Sequence, residues 1–157
     1  MNVFIGCSQE KKSTTCKAEE MYTSTIFKKS LIYAKDVLHA EHVYILSAKY
    51  FLLPLGKTIS PYNVYLGDYS SEKRKEWAEE VVKQMKSHRI NFNEKTVFLC
   101  GEDYYENLVN EFSDCKCPFK GRTFGFILKW LKNKCKGKDQ VKEGMLSLYD
   151  YLKEDLG

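Results

Sequence analysis

Three short apolar runs rich in β-branched and aromatic residues constrain this chain most: Val3 to Gly6, His42 to Ser47 and Lys95 to Cys100. Each reads as a buried strand, and each is followed by residues whose apolar positions recur at helical spacing. Ala18 to Leu38 carries Met21, Ile26, Leu31, Ala34, Val37 and Leu38 in that rhythm and predicts one long helix. Ser70 or Ser71 caps a second, running through Trp77, Val81, Val82 and Met85 to about His88. Glu102 to Phe112 has the helical period again. Thr123 to Lys134 follows, with Phe124, Ile127, Leu128 and Leu131 as its apolar positions, and Gln140 to Leu152 predicts a last helix. Lys49 to Asp68 is punctuated by Pro54, Gly56, Pro61 and Gly67 and reads as a long loop.

Strands alternating with helices predict an α/β fold. The expectation is a single three-layer sandwich domain over residues 1–157, around a short, mostly parallel sheet. No internal repeat or linker divides the 157 residues, and that length buries a core without a staple. In such sheets ligands collect where strands end and helices begin. Cys7-Ser8, Ser47-Ala48-Lys49 and Cys100-Gly101-Glu102 are therefore expected along one edge, bordering a ligand crevice at the carboxyl ends of the strands.

Several classes are excluded. The longest near-apolar run, Val43 to Leu55, is broken by Ser47, Lys49 and Pro54 and falls short of a membrane-spanning helix. Met1 to Cys7 has neither a basic leader nor a signal-length apolar stretch, so a soluble, cytoplasmic protein with no membrane partner is expected. The six cysteines match no zinc pattern, since Cys115-Lys116-Cys117 is one residue short of a CxxC pair, and reduced thiols are the simpler reading. Three scattered histidines argue against a His-based triad or metal site. The glycine-rich dinucleotide fingerprint, the phosphate-binding loop and the common hydrolase signatures are all missing. No metal and no organic cofactor is implied.

Net charge is +4, but its distribution says more. Cys115 to Lys138 holds eight Lys or Arg and no Asp or Glu. Such a block attracts phosphate or nucleic acid, and equally describes a solvated helix face.

Polar and reactive side chains crowd the strand ends. Lys11 is the candidate nucleophile or phosphate anchor, with Cys7 and Ser8 shaping the turn before it. Tyr22, Ser24, Ser47, Tyr62 and Tyr104 can orient or stack on a planar ligand. Lys49, Gly121 and Arg122 can hold a phosphate, and Glu102 is the acid–base candidate. Plainer readings stand beside these. Cys7 can be an inert core thiol, Lys11 part of a solvated charge run, and Glu102 a favourable charge at a helix start.

Gly6-Cys7-Ser8-Gln9-Glu10-Lys11 and Ala18 to Phe27 together resemble the CSxxK…LYxSxxF opening of an uncharacterised bacterial and phage domain family. Tyr44 to Leu53 resembles that family's YILSAKYGLL segment, with Phe51 in place of the glycine. Ser60-Pro61-Tyr62-Asn63 is similar to its EPYD, with Asn63 in place of the acid. Leu99 to Tyr105 and Lys120 to Leu131 resemble its LAGxxY and GxGIGxxxxWL segments, with Phe124 where a small hydrophobe stands. The likeness runs over roughly residues 3 to 131 and implies no established activity. More distantly, Cys7-x3-Lys11 followed by Tyr22-x-Ser24 is similar to the archaeosine synthase signature, where a lysine adds to the nitrile of a 7-deazaguanine base. This chain has no Pro-Tyr after Lys11, and Phe27 stands where a His would fall. The opening also resembles that of the peroxide-stress protein YaaA, which implies contact with nucleic acid.

The expectation is an enzyme directed at a nucleobase or nucleoside, free or within nucleic acid, acting at a glycosidic bond or base substituent. The rival is a non-catalytic binder of DNA, RNA or a nucleotide.

Overall fold

The computed structural model describes residues 1–138. The helix expected at Gln140 to Leu152 lies outside them. β1 (Asn2–Gly6) is the first apolar run. β2 (Cys16–Lys17) leads into α1 (Ala18–Met21), and α2 (Thr25–Ile32) follows, continued by a π-helical turn over Tyr33–Val37. β3 (His42–Ser47) turns back into β4 (Phe51–Pro54), and β5 (Thr58–Ile59) pairs with β2 in a small antiparallel ribbon. α3 (Ser71–Ser87) starts where Ser70 Oγ accepts the Lys73 amide, 3.1 Å away. β6 (Thr96–Leu99) leads into the single turn α4 (Glu102–Tyr105); then come β7 (Cys115–Lys116) and α5 (Phe124–Lys134).

The main sheet has the order β4-β3-β1-β6-β7. β1 lies parallel to both β3 and β6, β7 is parallel to β6, and only β4 runs antiparallel. Asn2 pins the register at the centre, its Nδ2 donating to Thr96 Oγ1 at 3.2 Å and to the Asn91 carbonyl at 3.0 Å.

Alternate residues of the central strands feed two cores, as period-two side chains must. Phe4, Leu46 and Phe98 pack under Trp77, Ala78, Val81 and Met85 of α3. Val3, Ile5, Ile45 and Leu99 face Met21, Phe27, Ala34 and Leu131 on the other side. Fully burying an aliphatic or aromatic side chain of this size stabilises by about 1.5–3 kcal/mol, so both faces need their helical cover. The expected three-layer α/β sandwich with a mostly parallel sheet is therefore what the chain forms.

Local differences have physical causes. The long helix expected over Ala18 to Leu38 is broken at Tyr22, whose extended backbone bridges to Lys11, and Ser24 starts a new helix by accepting the Phe27 amide. The stretch expected as loop contains β4, because Ser47 Oγ accepts the Lys49 and Tyr50 amides and closes a tight hairpin without glycine. Phe51 completes that hairpin at φ 64°, in the left-handed region. At the sheet edge, the Leu52 amide donates to Gln84 Oε1. The helix expected from Glu102 to Phe112 lasts one turn and gives way to a 3-10 turn over Val109–Glu111.

Candidate functional site

The parallel strands end together: Gly6 is in register with Leu46, and Ile5 with Leu99. Above that edge lies a cavity of about 580 Å³, within the range usual for small-molecule sites. Its floor is Gly6 to Glu10 and Leu99 to Glu102, the residues that follow β1 and complete β6. The connection from β1 goes to β3 on one side, while β6 lies on its other side. The β1–β6 seam is thus the topological switch point, the place where open α/β sheets bind ligands.

Gly6 has to be glycine here, because a Cβ would come within 2.8 Å of Cys100 Cβ. Ile26 and Phe27 from α2, and Phe119, Phe124 and Ile127 around the start of α5, supply apolar walls; Tyr65, Tyr104 and Tyr105 close the other side. Gly121, at φ 68°, turns the chain into α5 and sets Lys120 and Arg122 at the mouth. Arg122 Nε donates to the Pro118 carbonyl at 3.2 Å, and its guanidinium lies 4.3 Å from the Phe126 ring centre. Both α2 and α5 begin at the cavity wall. Ser24 and Thr123 each cap one amide, and the other first-turn amides leave partial positive charge at each helix end. The lining thus includes two cations, Lys120 and Arg122, and two carboxylates, Glu10 and Glu102, beside two helix N-termini.

Cys7 lies between this cavity and a second polar cluster. Its Sγ is 3.2 Å from Tyr104 Oη, and burial, reinforced by Cys7, holds that phenol well above the usual tyrosine range. On the other side, Tyr62 Oη sits 2.6 Å from Tyr22 Oη and 2.8 Å from Ser47 Oγ. Ser47 already accepts two backbone amides, so its own hydroxyl proton goes to Tyr62. Three hydroxyl protons then share two bonds, and the chain presents one surplus donor. Burial raises both phenols far above their ordinary value, with Cys7 adding to it. Lys11 Nζ lies 4.5 Å from the Tyr62 ring centre and donates to the Gln9 carbonyl at 3.3 Å. Burial lowers its pKa, opposed by Cys7.

The structure therefore divides the expected site. Cys7, Ser8, Ser24, Glu102, Tyr104, Gly121 and Arg122 line the cavity. Lys11, Tyr22, Ser47 and Tyr62 form the neighbouring cluster, and Lys49 points its ammonium at the Tyr50 ring, 5.5 Å from the centre. The end of β3 thus borders the tyrosine cluster and not the cavity, because β3 lies on the far side of β1 from the β1–β6 seam. Sequence reasoning missed Tyr65, Lys120 and Phe119, and it placed Phe124 among core positions although that ring is 72% exposed. An aromatic immediately after Gly-Arg-Thr, before the amphipathic face begins, was the available signal.

Among the described residues, no three His, Cys, Asp or Glu side chains gather as a metal site requires, and no helix is long and apolar enough to cross a membrane.

The chain is thus a mostly parallel α/β sandwich with a largely apolar cavity at its switch point, lined also by Lys120 and Arg122. The chain belongs to the Family of unknown function (DUF6884), whose profile matches residues 3–133. No curated protein and no solved structure matches it.

Proposed function

We propose that the protein is an enzyme acting on a nucleobase or nucleoside unit, at the glycosidic bond or a base substituent, with the switch-point cavity as its site. One observation carries this reading: flat aromatic and apolar walls share a single cavity with Lys120, Arg122 and the N-termini of α2 and α5. A nucleotide needs both halves, an apolar slot for the base and positive potential for the phosphate. Glu102, exposed at the first position of α4, is the acid–base group, and Cys7 with Tyr104 forms a polar edge for the base. Lys11 enters as a positioning residue: its bridge to Tyr22 and its contact with Tyr62 fix the Gln9–Glu10 wall. The likeness of Cys7-x3-Lys11 to a base-modifying lysine enzyme supports the substrate class and not that reaction.

The test is incubation with nucleosides and nucleoside monophosphates, with chromatography for released or altered base. Product formed by the natural protein and lost in Glu102→Gln is the expected result. Tight binding with no product from any of them replaces the enzyme with a binder.

A specific observation favours that second reading. All eight basic side chains between Cys115 and Lys138 are exposed, with no acid among them. A protein that only grips the nucleic-acid backbone loses affinity steeply with salt, and charge removal between Lys129 and Lys138 weakens it most.

A further inference from the structure

We propose that the cavity takes its base from a single-stranded nucleic acid, whose neighbouring bases stack on aromatic side chains at the mouth. This rests on the base-directed reading above and names its substrate class.

Among the described residues, three large apolar side chains are exposed: Phe124 at 72%, and Tyr65 and Phe126 at 44% each. Exposed apolar residues scattered singly need no explanation. These three are not scattered. Phe124 and Tyr65 line the cavity, and Phe126 lies under the guanidinium of Arg122, which lines it too. Among the described residues, the open aromatic rings gather at one place, around this cavity.

The charge pattern selects the occupant. Lys120 and Arg122 stand at that mouth, and Lys129 follows Phe126 by three residues, on the same face of α5. A track of cations interleaved with aromatic faces is how proteins hold a single strand: phosphates meet the cations and bases stack on the rings. A free nucleotide that fills the cavity leaves Phe126 and Lys129 unused. A duplex hides its base faces inside the stack, so the rings gain nothing from it until a base is extruded.

Fluorescence anisotropy with labelled mixed-sequence DNA and RNA strands of about 12 nucleotides tests this, alongside calorimetry with the common mononucleotides. The expected result is single-strand affinity at least about tenfold above that for any mononucleotide and above that for the matching duplex. The Phe124→Ala/Phe126→Ala double variant loses at least about tenfold in strand affinity. Both rings are exposed, and circular dichroism confirms that the variant folds. Equal affinity for duplex and single strand overturns the proposal, as does strand affinity untouched by the double variant. Mononucleotide binding with no gain from a longer strand overturns it while leaving the base-directed reading intact. Binding of neither mononucleotide nor strand brings down both.

Discussion

Gly6 and Cys100 close the floor of the cavity by near-contact of two strand ends: a Cβ on Gly6 would lie 2.8 Å from Cys100 Cβ. A contact this close leaves no room for the smallest side chain unless the β1–β6 seam opens. Gly6→Ala is expected to cost about 1–3 kcal/mol, the usual range for overpacking, read as a lower urea midpoint. Cys100→Ala in the same background does not rescue it, because the clash is with Cβ, whereas Cys100→Gly does. Full stability in Gly6→Ala alone would show that the seam yields easily.

Phe51 sits at φ 64°, where the segment it resembles has glycine. A residue with a Cβ pays roughly 1–2 kcal/mol in that region. Its ring also packs against the core around α3, so replacing Phe51 mixes lost packing with relieved strain. Comparing two truncations separates them. Phe51→Gly is expected to be more stable than Phe51→Ala by about 1 kcal/mol, reversing the order found inside ordinary strands. The ordinary order, with alanine the better, would refute a strained hairpin.

Stability is expected to fall on the alkaline side. Burial, together with the neighbouring Cys115, pushes the Cys117 thiol up to about 11, while an unfolded thiol titrates near ~8.5. Between those values the unfolded chain releases a proton that the folded chain keeps. The folded state then binds more protons, and stability declines as pH rises. Above about pH 10 the buried Tyr22 and Tyr62 phenols add to the same slope, their folded values being raised as well. Urea midpoints measured between pH 7 and 11 should be level to about 8.5 and then drop. Cys117→Ala lessens the first part of the drop, to which the Cys100, Cys115 and Cys135 thiols, also raised by burial, contribute as well, and a flat profile throughout would mean these groups stay open to water.

Lys11 and Glu102 are expected to separate in kinetics. Glu102→Gln lowers kcat by about 10²–10⁴ with KM little changed, as loss of a general acid or base does. Lys11→Ala removes the ammonium from the Tyr62 ring, an exposed-type cation–π contact worth about 0.5–1 kcal/mol of stability, and mainly raises KM by loosening the Gln9–Glu10 wall. Lys11→Arg restores KM. A Lys11→Ala protein with kcat abolished and no rescue by arginine would move the chemistry into the tyrosine cluster.

The sequence made the central sheet legible because β1, β3 and β6 are buried on both faces and so read as unbroken apolar runs. The common edge at Cys7, Ser47 and Cys100 followed from parallel pairing. What was hidden depends on contacts between distant residues. Nothing local marks Tyr22 as a break, since the break is made by its bridge to Lys11. The hairpin into β4 has a serine hydroxyl in place of the usual Asn-Gly signal. At the site, strand ends can be placed on one edge from pattern alone, but not divided between two neighbouring clusters. That division comes from β3 and β6 lying on opposite sides of β1, and from Lys11 packing on Tyr62. Phe124 misled for the opposite reason: its spacing fits a buried helix face, and its exposure reflects the mouth it borders.

The central position of β1 sets an order of assembly. Its start is tied to Thr96 by a hydrogen bond spanning 94 residues, so β1 gains its second neighbour only once β6 has been synthesised. Closing so long a loop is slow relative to forming helices. The β1–β3 pair with its helices can gather before the switch-point seam closes, and β7 and α5 join only after that. A nascent chain therefore has no cavity floor until β6 arrives, and no aromatic rim until α5 follows it.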